Sequence, residues 1–179
     1  MKWISIILVL IITSCNIDSE KGVDLTDFDF KTGDDTEIFF KNVRQSYYDL
    51  EENKTANLNI FRFEDRVKES AHPVLNLAIV FNYLQDEATL LIEPLNLTLE
   101  DSLEVITYQD EQQGDTLTLS SFNRSAMLTF INDIYQHMLK GNKFKIKTER
   151  GYEELLSTKQ EREAFRLTVS DYYRLTRIY

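Results

Sequence analysis

The most regular hydrophobic pattern lies between residues 127 and 139. There Met127, Phe130, Ile131, Ile134, Tyr135, Met138 and Leu139 recur at steps of three and four. That period places one apolar stripe on an α-helix. Ser120 or Ser121 is positioned to cap its start, and Gly141-Asn142 supplies a left-handed residue to end it. A second helix opens at Thr158-Lys-Gln-Glu161, a capping box, and its pattern buries Phe165, Val169, Tyr172 and Leu175.

Upstream the period is two. In Val74–Leu84, Leu75, Leu77, Ile79, Phe81 and Tyr83 occupy one face, and the other mixes Val74, Ala78, Val80 and Leu84 with Asn76 and Asn82. This predicts a central strand buried on both sides. Gln85-Asp86-Glu87 turns it back into Ala88–Glu93, and Pro94, lacking an N–H, is expected to end that ladder. Asn57–Glu64 reads as a strand, Leu103–Gln109 and Thr116–Leu119 as a hairpin across residues 110–115, and Lys143–Lys147 as a short edge strand with lysines outward. Ile38–Leu50 fits either period. Phe39, Val43, Tyr47 and Leu50 would share a helical face, yet the aromatic and β-branched content and the polar turn at 51–54 favour a strand of a hairpin. Strands followed by helices give an α+β class. The expectation is five to seven mostly antiparallel strands, then a helix, a short strand and a final helix: a twisted sheet, open to folding into a sandwich, with two amphipathic helices in the C-terminal half.

Composition sharpens this. Eleven Phe and nine Tyr supply a core, and five Gly with two Pro leave little for long irregular loops. Charge is uneven: residues 16–37 carry eight acids against two bases, whereas residues 140–179 carry ten bases against six acids. The acidic stretch after residue 15 has few bulky apolar residues and reads as a solvated tether. A net charge of −10 argues against nucleic acid as a partner. The basic C-terminal segment is expected to complement the acidic half of the same domain.

The first residues have their own pattern: Lys2, a greasy run from Trp3 to Ile12, then Thr13-Ser14-Cys15. This is the layout of a secretory signal peptide, too short for the roughly 20 apolar residues of a membrane span. Ile12-Thr13-Ser14-Cys15 resembles the lipobox of bacterial lipoprotein precursors. The resemblance implies cleavage before Cys15, lipid attachment to its sulfur and a membrane anchor in the bacterial cell envelope, more in keeping with the outer than the inner membrane. Cys15 is the only cysteine, so the mature domain would hold no disulfide or thiolate site. The chain then divides into a signal peptide (1–14), an acidic tether (15–36) and one α+β domain (37–179). Residues 39–49 (FFKNVRQSYYD), Asp86-Glu-Ala, Glu93-Pro94, and the C-terminal Arg162-Glu-Ala-Phe-Arg-Leu and Tyr172-Tyr-Arg-Leu-Thr176 are similar to patches of small lipoproteins of Bacteroidota-type bacteria. That similarity implies no particular activity.

No motif assigns chemistry. His72 and His137 are the only histidines, without HExxH or comparable ligand spacing. No glycine-rich phosphate loop or GxSxG elbow occurs. We assign no catalytic residue, cofactor or metal. Asp86, Glu87 and Glu93 are the one carboxylate group that could serve glycosidase-type acid–base work. Arg44, Tyr47, Tyr48, Tyr173 and Arg174 carry the side-chain types enriched at binding hot spots and are the candidate partner-binding residues. The leading expectation is a lipid-anchored, non-enzymatic module binding an envelope protein or a glycan. The alternatives are an envelope hydrolase using the acidic group, or an inhibitor or immunity lipoprotein.

Overall fold

The computed structural model describes residues 28–98, 102–110 and 112–178. The expected signal peptide and the expected lipid-attachment residue Cys15 lie outside the described residues. The chain order is α1 (Asp34–Phe39), a π turn (Phe40–Arg44), a 3₁₀ turn (Gln45–Tyr47), β1 (Tyr48–Asn53), β2 (Leu58–Phe63), β3 (Val74–Asn82), β4 (Glu87–Leu95), β5 (Leu103–Gln109), β6 (Gln112–Leu119), α2 (Arg124–Leu139), β7 (Lys143–Thr148), β8 (Gly151–Leu155) and α3 (Lys159–Leu175). The fold is α+β and mostly sheet. Two four-stranded antiparallel sheets, ordered β1-β2-β3-β4 and β6-β5-β7-β8, share one core with α2 and α3.

β3 is the spine of the first sheet. Leu75, Leu77, Ile79 and Phe81 face inward and are buried, with α3 packed against this strand. The opposite face stays dry at Ala78, fully buried beside Arg62 in the register, where the Arg62 guanidinium reaches Glu93 at 2.7 Å. Both faces are therefore covered, one by a helix and one by an ion pair. Tyr83 and Leu84 depart from the expected face. They lie in the turn and are exposed.

Several expectations need correction. Residues 38–47 are helical rather than a strand, and β1 begins only at Tyr48. Phe40 is the reason: it drops from the helical segment onto Phe61 (ring centroids 5.1 Å) and Tyr48 (5.6 Å), so packing overrides the β propensity of the stretch. Pro94 does not end β4, which runs on with Pro94 opposite Leu75; β4 is a sheet edge, where a missing N–H is tolerated. β7 is interior, not an edge, because Gly151–Leu155 adds β8 beside it; Phe144 and Ile146 are fully buried while Lys145 and Lys147 pair with Glu154 and Glu104 on the outer face. Among the described residues the strands number eight. The cap of α2 is Asn123, whose side chain accepts the Ala126 N–H at 2.9 Å, not Ser120 or Ser121. The folded body also starts before residue 37, since Phe30 is buried and Lys31 bridges to β4 at Glu87.

Two glycines matter. Gly141 (φ 84°) ends α2 in a Schellman motif, with Asn142 N–H bonded to the His137 carbonyl at 3.1 Å. Gly114 sits where β6 meets a register shift in β5, and a Cβ there would approach Thr107 Oγ1 to 2.7 Å. That hydroxyl accepts the Asp115 N–H at 2.8 Å, which keeps the expected loop in the ladder.

Candidate functional site

Three of the five candidate binding residues, Arg44, Tyr48 and Arg174, converge on a carboxylate the sequence did not single out, and a fourth, Tyr47, packs on Arg44. Asp171, on α3, has a fully buried side chain. Arg44 Nε lies 2.8 and 2.9 Å from its two oxygens, the Tyr48 hydroxyl donates to it at 2.7 Å, and Arg174 Nη1 stands 3.7 Å away. Tyr47 is half exposed, and the Arg44 guanidinium lies over its ring at 4.6 Å. Burial and the adjacent carboxylate push the Tyr48 phenol well above its usual range. The Asp171 hydrogen bond raises the Arg44 pKa in turn. Chemically this cluster is a clamp: it fastens the helical segment 34–47 to α3, helped by the Thr36 hydroxyl bonded to the Leu175 carbonyl at 2.7 Å.

The fifth residue, Tyr173, is not a surface residue. It is fully buried, donates to Asn132 Oδ1 at 2.8 Å and meets Tyr135 edge-on. Tyr48 is likewise in the core. What the clamp presents to solvent is the other side of the segment. Ile38, Phe39, Val43 and Tyr47 are exposed there, and Leu50 on β1 is also exposed. Phe39, Val43, Tyr47 and Leu50 are the residues whose helical spacing was visible, but that spacing marks a solvent face rather than a core face.

The acidic group does not assemble. Asp86 holds a left-handed turn conformation (φ 51°). Glu87 is bound by Arg124 at 2.8 Å and Lys31 at 3.2 Å, and these cations hold its carboxyl below the usual range. Glu93 is bound by Arg62. Glu87 and Glu93 are six residues apart on one extended strand, a separation of about 20 Å. Paired carboxylates in glycosidases stand roughly 5–9.5 Å apart.

A second polar cluster occupies the other end of α3. Glu161, whose side chain is 1 % exposed, receives Thr158 Oγ1 at 2.8 Å, the Ser157 N–H at 2.9 Å and His72 Nε2 at 2.9 Å. The second ring nitrogen, Nδ1, lies 3.0 Å from Ser70 Oγ. Because Glu161 offers only acceptors at that position, Nε2 carries the ring proton of a neutral His72 and Nδ1 is free to accept. The capping box was legible as T-x-x-E, but nothing in the sequence linked residue 72 to residue 161. Beside this cluster is a polar groove of about 560 Å³, to which Ala71, Pro73 and Asn96 contribute. His137 lies elsewhere, 3.4 Å from Asp115. Among the described residues no group of three His, Cys, Asp or Glu side chains is placed to hold a metal ion.

The sequence matches no known family model, and no curated protein or solved structure matches it.

Proposed function

We propose that this protein is a lipid-anchored module of the bacterial cell envelope that holds a partner, a protein or a glycan, on the outer face of its N-terminal helical segment. The observation that carries the reading is the cluster of exposed large apolar side chains on one short stretch: Ile38 at 59 % exposure, Val43 at 47 % and Tyr47 at 51 %. A buried ion pair fixes that stretch to the body, so the apolar face is preorganised, which lowers the ordering cost of binding. Tyr47 stacked under Arg44 adds a rigid aromatic contact of the kind enriched at hot spots.

The anchor belongs to the same proposal and is supported by the lipobox-like run ending at Cys15. Two or more acyl chains hold a protein durably, at about 0.8 kcal/mol per buried CH₂.

The test is a photo-crosslinker at residue 43 in the full chain expressed in a bacterium, compared with a crosslinker on the outer face of the second sheet at residue 145. A specific adduct formed from residue 43, absent from residue 145 and lost with Tyr47→Ala, supports the reading. Equal adducts at both positions, or none at residue 43, refute it.

A further inference from the structure

The cluster at the start of α3 has the connectivity of an acid–base relay. A buried carboxylate (Glu161) holds one nitrogen of an imidazole (His72), and the other nitrogen faces a hydroxyl (Ser70) at 3.0 Å. Nucleophile to base and base to orienting acid are the two contacts that identify a serine hydrolase by geometry rather than by chain order. Here the two ring nitrogens exchange their customary partners, which leaves proton transfer possible because the imidazole accepts at one nitrogen while donating at the other. Ser70 Oγ also accepts the His72 N–H at 3.1 Å and contacts the His72 carbonyl at 2.9 Å, so its proton has two acceptors in the resting state. His72 is 43 % exposed, so the relay is reachable from solvent.

The adjoining groove supplies a place for substrate. Ala71 and Pro73 flank His72 in sequence and line it, and Asn96, which bonds the Ser70 carbonyl, lines it too. Lys147, Arg150 and Glu153 line it as well. A volume near 560 Å³ suits a small ligand, and walls carrying charges of both signs, hydroxyls and the Asn96 amide suit a polyhydroxylated one.

We infer that Ser70, His72 and Glu161 form a hydrolytic site for short acyl esters of polyhydroxylated, sugar-like alcohols. Ser70 Oγ attacks the ester carbonyl carbon and its proton passes to His72 Nδ1. The carbon–oxygen bond to the alcohol breaks, and the departing alkoxide takes that proton. Water then attacks the acyl-serine, again losing a proton to His72, and the carboxylic acid leaves as Ser70 Oγ is reprotonated. Glu161 is a positioning residue: it keeps the Nε2–H tautomer and balances the transient imidazolium.

The site is tested on the full chain in detergent with two probes, a tagged alkyl fluorophosphonate and p-nitrophenyl acetate. The expected result is one phosphonyl adduct on Ser70, found by peptide mass spectrometry, and ester turnover reduced about 10²–10⁴-fold in Ser70→Ala and in His72→Ala. Ser70→Cys, which keeps a nucleophile in the same turn, should regain acylation by p-nitrophenyl acetate. The assignment is overturned if Ser70 is not labelled in the wild type, or if Ser70→Ala, folded by circular dichroism, hydrolyses the ester as fast as the wild type.

Discussion

Helix α3 buries a carboxylate near each end, and the two are held differently. Glu161 lies in the first turn, where the helix dipole favours negative charge, and is satisfied by a hydroxyl, a backbone N–H and an imidazole. Asp171 lies about one turn from the C-terminal end, where the dipole opposes it, and it is met by Arg44, Arg174 and the Tyr48 hydroxyl. The first site needs no guanidinium; the second has two. One end of the helix can thus leave an imidazole available for chemistry. At the other end the cation is committed to structure.

That contrast ranks the consequences of breaking each end. Arg44→Ala strands a buried charge and should cost about 3 kcal/mol. Urea unfolding would measure this, and a loss below that of surface substitutions would remove the clamp from the account. Glu161→Ala removes capping and three polar contacts at a favourable dipole position, for an expected loss of about 2 kcal/mol. Tyr48→Phe leaves Arg44 in place and should cost about 1.5 kcal/mol, the value of a hydrogen bond to a charged group.

The same tyrosine gives a pH signature. Its folded pKa is raised above the unfolded value, so the stability it contributes is intact below that unfolded value. It declines once the unfolded phenol ionises, from about pH 10 upward. Wild-type stability should fall in that range more steeply than that of Tyr48→Phe in parallel urea titrations. His72→Ala removes a half-exposed ring from a buried carboxylate that keeps the Thr158 hydroxyl and the Ser157 N–H, and should cost about 1 kcal/mol while abolishing ester turnover. A large stability loss would mark His72 as a structural clip instead.

How far the sequence disclosed this molecule depends on whether the forces were local. The stripe of α2, the capping box of α3 and the alternation of β3 were legible because each is written in consecutive residues. Residues 38–47 misled for the opposite reason. Their composition favours strand, and only the distant partners Phe61 and Asp171 make the helical choice worthwhile. β8 was missed because Gly151-Tyr-Glu-Glu-Leu155 offers little hydrophobic alternation; its pairing with β7 defines it. Arg44, Tyr48 and Arg174, named from their side-chain types alone, meet around a buried Asp171 that no spacing rule connects to residue 44. Glu161 and His72, 89 residues apart, were equally invisible as a pair.

The central structural claim is that residues 34–47 form a helical segment clamped to α3 through Arg44 and Asp171, with its apolar side outward. Amide hydrogen exchange on the full chain, wild type against Arg44→Ala, tests it most directly. The account predicts protection across residues 37–47 in the wild type, selectively lost in the variant while β5 and β7 remain protected. Free exchange of that segment in the wild type, or unchanged protection in Arg44→Ala, would contradict it.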